Sequence, residues 1–254
     1  MKPVYGILIA IALAGILCAA GCTTTDTGGA ETPTPTPVPE AVVSIAQDNN
    51  RDIIPVDSET YIRITLPENP TTGYSWNVTG ADGLAITGDE FIPPEEQIPG
   101  AGGVHVWTLK PDTTGLVTFS AVYVRPWEEI QSDDERYSIT FYIAPEGTSV
   151  VDVTSADNGN TVSISEGSAA LVALDENPTT GYRWNASVSG NAEITSDSFV
   201  PPYSEIPISG AGGIHKWLVT FDGETSGSFD AVYARPWEET AQDAESFSVT
   251  FAGV

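Results

Sequence analysis

The chain is written twice. Asn69-Pro70-Thr71-Thr72-Gly73-Tyr74 recurs unchanged as Asn177-Pro178-Thr179-Thr180-Gly181-Tyr182. Gly100-Ala101-Gly102-Gly103 recurs as Gly210-Ala211-Gly212-Gly213, and Arg125-Pro126-Trp127 as Arg235-Pro236-Trp237, each followed by two glutamates. The offset is 108 residues at the first motif and 110 at the later two, the extra pair being Ile208-Ser209. Solenoid repeats run about 20 to 50 residues, so a period this long marks duplicated domains. Each copy must therefore bury a core of its own within about 100 residues.

The pattern inside each copy is β. Ile62, Ile64 and Leu66 alternate with Tyr61, Arg63 and Thr65, and Val117, Phe119, Ala121 and Tyr123 alternate with Thr118, Ser120 and Val122. Tyr137, Ile139, Phe141 and Ile143 close the first copy in the same way, and Phe247, Val249 and Phe251 the second. This period of two belongs to half-buried strands, and no helical stripe competes with it. Short strands with Gly, Pro and Asp turns between them predict an all-β protein, two tandem immunoglobulin-like antiparallel sandwiches. The expected domains are 41–146 and 147–254. Both cysteines, Cys18 and Cys22, precede them, so neither domain has a disulfide, a thiol nucleophile or a cysteine metal site.

Residues 1–22 form a leader. Lys2 is followed by an apolar run from Val4 to Leu17, shorter than a membrane span, and then Ala19, Ala20, Gly21 and Cys22. The ending resembles a lipobox, which implies a lipid on Cys22 and a chain held at the extracellular face of the membrane; plain secretion is the alternative. Residues 23–40 end in alternating Thr and Pro, a composition that favours an extended tether.

Nine Lys and Arg against 35 Asp and Glu give a formal charge of −26, with no clustered cations for nucleic-acid phosphates. The repeated segments are turn-like. Pro70 fixes its φ, Gly73 permits a positive one, and Thr71 and Thr72 are left for an exposed tip. A turn needs only its Pro and Gly, so identity at all six positions suggests an external use. The Gly-rich segment lacks the GK[ST] of a phosphate loop and leads into a strand. Its small residues suit the close approach of a partner's backbone. Trp127 beside Arg125 on a proline-stiffened loop is a hot-spot composition; a lid on the sandwich end is the alternative. His105 and His215 have no second His nearby, which suits a hydrogen-bonded strand histidine and not a metal. No Gly-x-Ser-x-Gly elbow or duplicated Ser/His/Asp set appears.

Asn-Pro-Thr-Thr-Gly-Tyr, a Pro-Pro pair (Pro93-Pro94, Pro201-Pro202), Gly-Ala-Gly-Gly and Arg-Pro-Trp, in this order, resemble the chagasin family of cysteine protease inhibitors. The resemblance covers about 41–144 and 148–254. It implies a non-enzyme that needs no cofactor and occludes papain-like cysteine proteases reversibly. Asn69–Tyr74 would enter the cleft, while Gly100–Gly103 and Arg125–Trp127 grip its walls. In the second copy Asn177–Tyr182, Gly210–Gly213 and Arg235–Trp237 would do the same. Duplication leaves open whether two proteases bind per chain. An adhesion or ligand-binding module on the same scaffold is the alternative function.

Overall fold

The structure, a computed structural model, describes residues 41–95, 98–202, 210–238 and 243–254. The leader with Cys22, the tether and the inserted Ile208-Ser209 lie outside the described residues. The first copy contributes β1 (Val42–Ile45), β2 (Ile53–Asp57), β3 (Tyr61–Glu68), β4 (Ser75–Gly80), β5 (Leu84–Ile92), β6 (Gly103–Pro111), β7 (Gly115–Val124) and β8 (Glu135–Ala144). The second contributes β9 (Val150–Thr154), β10 (Thr161–Ile164), β11 (Ala169–Glu176), β12 (Arg183–Gly190), β13 (Ala192–Val200), β14 (Gly213–Phe221), β15 (Ser226–Ala234) and β16 (Ser246–Gly253).

Each copy is a sandwich of two four-stranded sheets. Their orders are β1-β3-β6-β5 over β2-β8-β7-β4, and β9-β11-β14-β13 over β10-β16-β15-β12. The alternation read from the sequence is the alternation of burial. Ile62, Ile64, Leu66, Phe119, Tyr137, Ile139, Phe141 and Ile143 are fully buried in one core, with Trp107 between the sheets. The second core gathers Val172, Leu174, Trp217, Phe229, Phe247, Val249 and Phe251. Fully burying one such side chain contributes about 1.5–3 kcal/mol, so each copy has a driving force of its own.

The pairing is antiparallel except at one edge of each sheet. β1 joins β3 and β2 joins β8 in parallel, as β9 joins β11 and β10 joins β16. The reason is a crossing. After β1 a 3-10 turn at Gln47–Asn49 carries the chain to the other sheet, so one N-terminal segment closes an edge of both. Alternating burial is identical for parallel and antiparallel neighbours, so the pattern does not reveal this direction.

The Tyr137 hydroxyl donates to the Ala46 carbonyl at 3.0 Å, tying the core to that turn. Burial, and to a smaller degree the Asp48 and Asp52 carboxylates, push its ionisation far above the ordinary tyrosine range. In the unfolded chain the phenol ionises near pH 10, while the folded one keeps its proton. The unfolded state therefore holds fewer protons above about pH 10, and stability is expected to fall there and be complete below it. Tyr137→Phe should cost about 1 kcal/mol at neutral pH and flatten the alkaline arm of the denaturant midpoint. An unchanged alkaline slope in the variant would contradict this.

Candidate binding surface

Three loops meet at one end of each sandwich. In the first copy they follow β3, precede β6 and follow β7, and Asn69 is the residue that joins the first two. Its side chain caps a 3-10 turn at Pro70–Thr72, accepting from the Thr71 amide at 3.2 Å and the Thr71 hydroxyl at 2.7 Å. Its Nδ2 donates across to the Gly100 carbonyl at 2.9 Å, fixing the Gly-rich loop against the turn. Its backbone N–H donates to the Tyr123 hydroxyl at 2.9 Å, which anchors the turn to the end of β7. The Thr72 hydroxyl donates to the Asn69 carbonyl at 2.7 Å. Pro70 at the first position needs no N–H partner, and Gly73 ends the turn with φ 84°, in the left-handed region.

The third loop closes over this turn. A side chain at Gly73 would meet the Trp127 ring at 2.9 Å, so the indole lies on a bare glycine. The Arg125 guanidinium stands 4.5 Å over the Tyr74 ring, within cation–π range, and pairs with Glu128 at 3.1 Å. Trp127 nevertheless remains 72 % exposed, so it is no lid on the sandwich end. Pro70, Thr71, Thr72, Gly100 and Pro126 are exposed around it. A hollow on one side of the tip is lined by Thr71, Pro93, Pro94, Pro99, Gly100 and Ala101. Another, on the far side, is lined by Thr72, Tyr74, Tyr123, Asp133, Asp134 and Glu135.

The second copy repeats the arrangement bond for bond. Asn177 caps Pro178–Thr180, its Nδ2 donates to Gly210 at 3.0 Å, and its N–H reaches Tyr233 at 2.9 Å. Arg235 stands 4.6 Å over Tyr182, Trp237 lies on Gly181, and Trp237 is 71 % exposed. The structure thus brings together all three segments singled out in the sequence, in both copies.

It also supplies reasons for their identity that the sequence does not reveal. Both threonine hydroxyls are occupied in closing their own turn, and the asparagine and the tyrosine in holding the loops to one another. Gly102 and Gly103 are required internally as well. A side chain at Gly102 would strike the Glu68 carbonyl at 2.8 Å, and one at Gly103 would collide with the Ile92 carbonyl. What is left for a partner is the outward surface: the exposed Pro70, Thr71, Thr72 and Gly100 positions and the Trp127 indole.

Behind the cluster lies a feature the sequence analysis missed. Glu68 is buried, and its Oε2 accepts from the Trp76 amide at 2.9 Å and contacts His105 Nδ1 at 2.9 Å. His105 Nε2 contacts Asp89 at 2.7 Å, and its ring stacks on Trp107 at 4.1 Å between centroids. Glu176, His215, Asp197 and Trp217 form the same set in the second copy. Both histidine ring nitrogens are thus held by carboxylates, as expected of a hydrogen-bonded strand residue. The set braces the strand end from which the capped turn departs. Glu68→Ala leaves the buried Trp76 amide without its acceptor and removes the carboxylate contact of His105 Nδ1, and is expected to cost about 3 kcal/mol, read as a lowered denaturant midpoint for the first domain. A midpoint within error of the parent would refute the bracing role.

The chain matches the model of the chagasin family peptidase inhibitors, I42, over residues 56–141 and again over 163–251. It is 33 % identical over 84 residues to chagasin of Trypanosoma cruzi, covering 31 % of this chain and 76 % of that protein. It is 34 % identical over 93 residues to amoebiasin-1 of Entamoeba histolytica, covering 36 % of this chain and 90 % of that one. Among solved structures, the cysteine protease inhibitor EhICP2 of Entamoeba histolytica aligns at 23 % identity with a TM-score of 0.38, over 42 % of this chain and 99 % of its own.

Proposed function

The chain belongs to the chagasin family of peptidase inhibitors and is not an enzyme, and from that premise we propose that each loop cluster is a wedge that blocks the substrate cleft of papain-like cysteine proteases. The observation that carries the reading is the convergence of three loops, tied through Asn69 and Asn177, into two equivalent outward surfaces. The Pro70–Thr72 tip enters the cleft, the Gly100 loop lies along one wall, and Trp127 lies along the other. Pro178–Thr180, Gly210 and Trp237 do so in the second copy.

The chemistry follows from the turn. Its backbone is a closed 3-10 turn, so its carbonyls are held away from the near-attack geometry that hydrolysis requires. The threonine hydroxyl hydrogens are already donated inward, and the catalytic thiolate meets methyl groups and no scissile bond. Because the loops are bonded to one another before any partner arrives, little ordering entropy opposes association. Such preorganisation is how an interface of modest size reaches nanomolar affinity, about −12 kcal/mol. A lipid on Cys22 and the Thr/Pro tether would place this surface outside the cell membrane, where secreted proteases are met.

The test is hydrolysis of a fluorogenic peptide by papain in the presence of residues 41–254, which contain both cores. Reversible inhibition at nanomolar concentration is expected. No inhibition at micromolar concentration of papain or of a cathepsin L-like enzyme would refute the reading and favour an adhesion module.

A further inference from the structure

The sandwiches of this chain are docked on one another. Ile53, Tyr142 and Ala144, on the outer face of β2 and β8, share one buried apolar cluster with Ala169, Leu171 and Leu218, on the outer face of β11 and β14. These residues alternate with core residues along their strands, so they point away from their own cores and are covered by the other copy. Ala169 and Leu218 are 0 % exposed. The Lys216 ammonium pairs with Asp52 at 2.6 Å, and the Ser198 hydroxyl donates to the Arg51 carbonyl.

The duplication supplies its own control. Where the second copy has Leu171 and Leu218, the equivalent positions of the first are Arg63 and Thr108. Where the first has Ile53 and Tyr142, the second has Thr161 and Ala252. At these four positions the larger apolar side chain stands on the face that meets the other copy. A head-to-tail contact that could otherwise continue from chain to chain therefore stops at two domains.

Strand direction then fixes where the loop clusters point. β7 ends at the first cluster, so its antiparallel neighbour β8 runs away from it toward Ala144. Residues 145–149 turn the chain, with the Thr148 amide donating to the Pro145 carbonyl at 3.1 Å. From there β9 runs parallel to β11, which ends at the second cluster. Counting outward from this turn, Ala144 and Ala169 come first, then Tyr142 and Leu171, then Asp52 and Lys216. The contacts occur in the same order in both copies, so the sandwiches lie side by side with both clusters at one end.

We infer that the two wedges exclude each other, and that the chain holds one protease at a time. Sheets packed face to face lie about 10 Å apart, which places the midplanes of neighbouring sandwiches roughly 20 Å apart. A globular partner of about 200 residues has a radius of gyration near 16 Å and a diameter of roughly 40 Å. Two such bodies seated on parallel wedges would overlap. The duplication raises the number of productive approaches without raising the capacity.

This rests on the wedge reading above, and the test separates the two. Residues 41–254 are titrated with papain, following residual activity and, by sedimentation velocity, the mass of the complex. One protease per chain is expected. Thr72→Arg and Thr180→Arg, each closing one wedge, should also end at one protease, with apparent affinity about twofold lower because one of two equivalent approaches is gone. Leu171→Glu with Leu218→Glu, which opens the docking face, should bind two. A parent complex with two proteases would overturn the inference, as would a single-wedge variant that no longer inhibits, or an opened and folded variant that still binds one. Absence of inhibition by every form would overturn the wedge reading itself.

Discussion

Replacing Thr72 and Thr180 together by Arg is expected to raise the inhibition constant against papain by at least about 100-fold. The two threonines stand at the exposed ends of their capped turns, and each donates its hydroxyl hydrogen to the carbonyl of the capping asparagine. An arginine there loses that bond and carries a charge into a cleft that offers it no designed partner. An unpaired buried charge costs about 3–5 kcal/mol, which by itself accounts for a loss of at least that size. The turn should survive, because its cap, its proline and its glycine remain. Circular dichroism and the denaturant midpoint should therefore stay near those of the parent while inhibition is lost. A double variant that inhibits as well as the parent would mean that the tip does not enter the cleft.

The second large effect is expected from the tryptophans. Trp127→Ala with Trp237→Ala should weaken inhibition by about 2 kcal/mol or more, about 30-fold. Each indole is more than two-thirds exposed and rests on a glycine of its own turn. It is thus oriented by the fold while presenting most of its surface to a partner. Stability should change little, since an exposed ring contributes little to the core. Both proteins should be read by inhibition constant and thermal midpoint together. A fall in stability with unchanged inhibition would reassign the ring to support of the loops.

The parts of this molecule that were legible in its sequence are those in which one residue type has one physical meaning. Ile62, Ile64 and Leu66 alternate with polar residues and are buried as read. Identical turns in two copies announced two equivalent loop clusters. What was not legible depends on partners distant in sequence. Glu68 meets His105 only because β3 pairs with β6, 37 residues on, and nothing local marks that glutamate as buried. Leu171 and Leu218 face outward, yet they are buried because a second domain covers them, a relation no single strand encodes. The parallel edges were missed because alternation carries no direction. An external use is not the sole reason for identity at all six residues of the turn. Asn69, the threonine hydroxyls and Tyr74 also serve the cluster itself, so identity between the copies reflects internal bonding as well as an outward surface.

The central claim is that the loop clusters occupy the substrate cleft, and it is tested most directly by binding without catalysis. Residues 41–254 would be titrated calorimetrically into two inactive forms of papain. One has its catalytic cysteine replaced by alanine and its cleft empty; in the other the cleft is filled by a covalently attached peptidyl inhibitor. Tight binding to the first and none to the second is the result predicted here. Equal binding to both would place the contact outside the cleft and contradict the account.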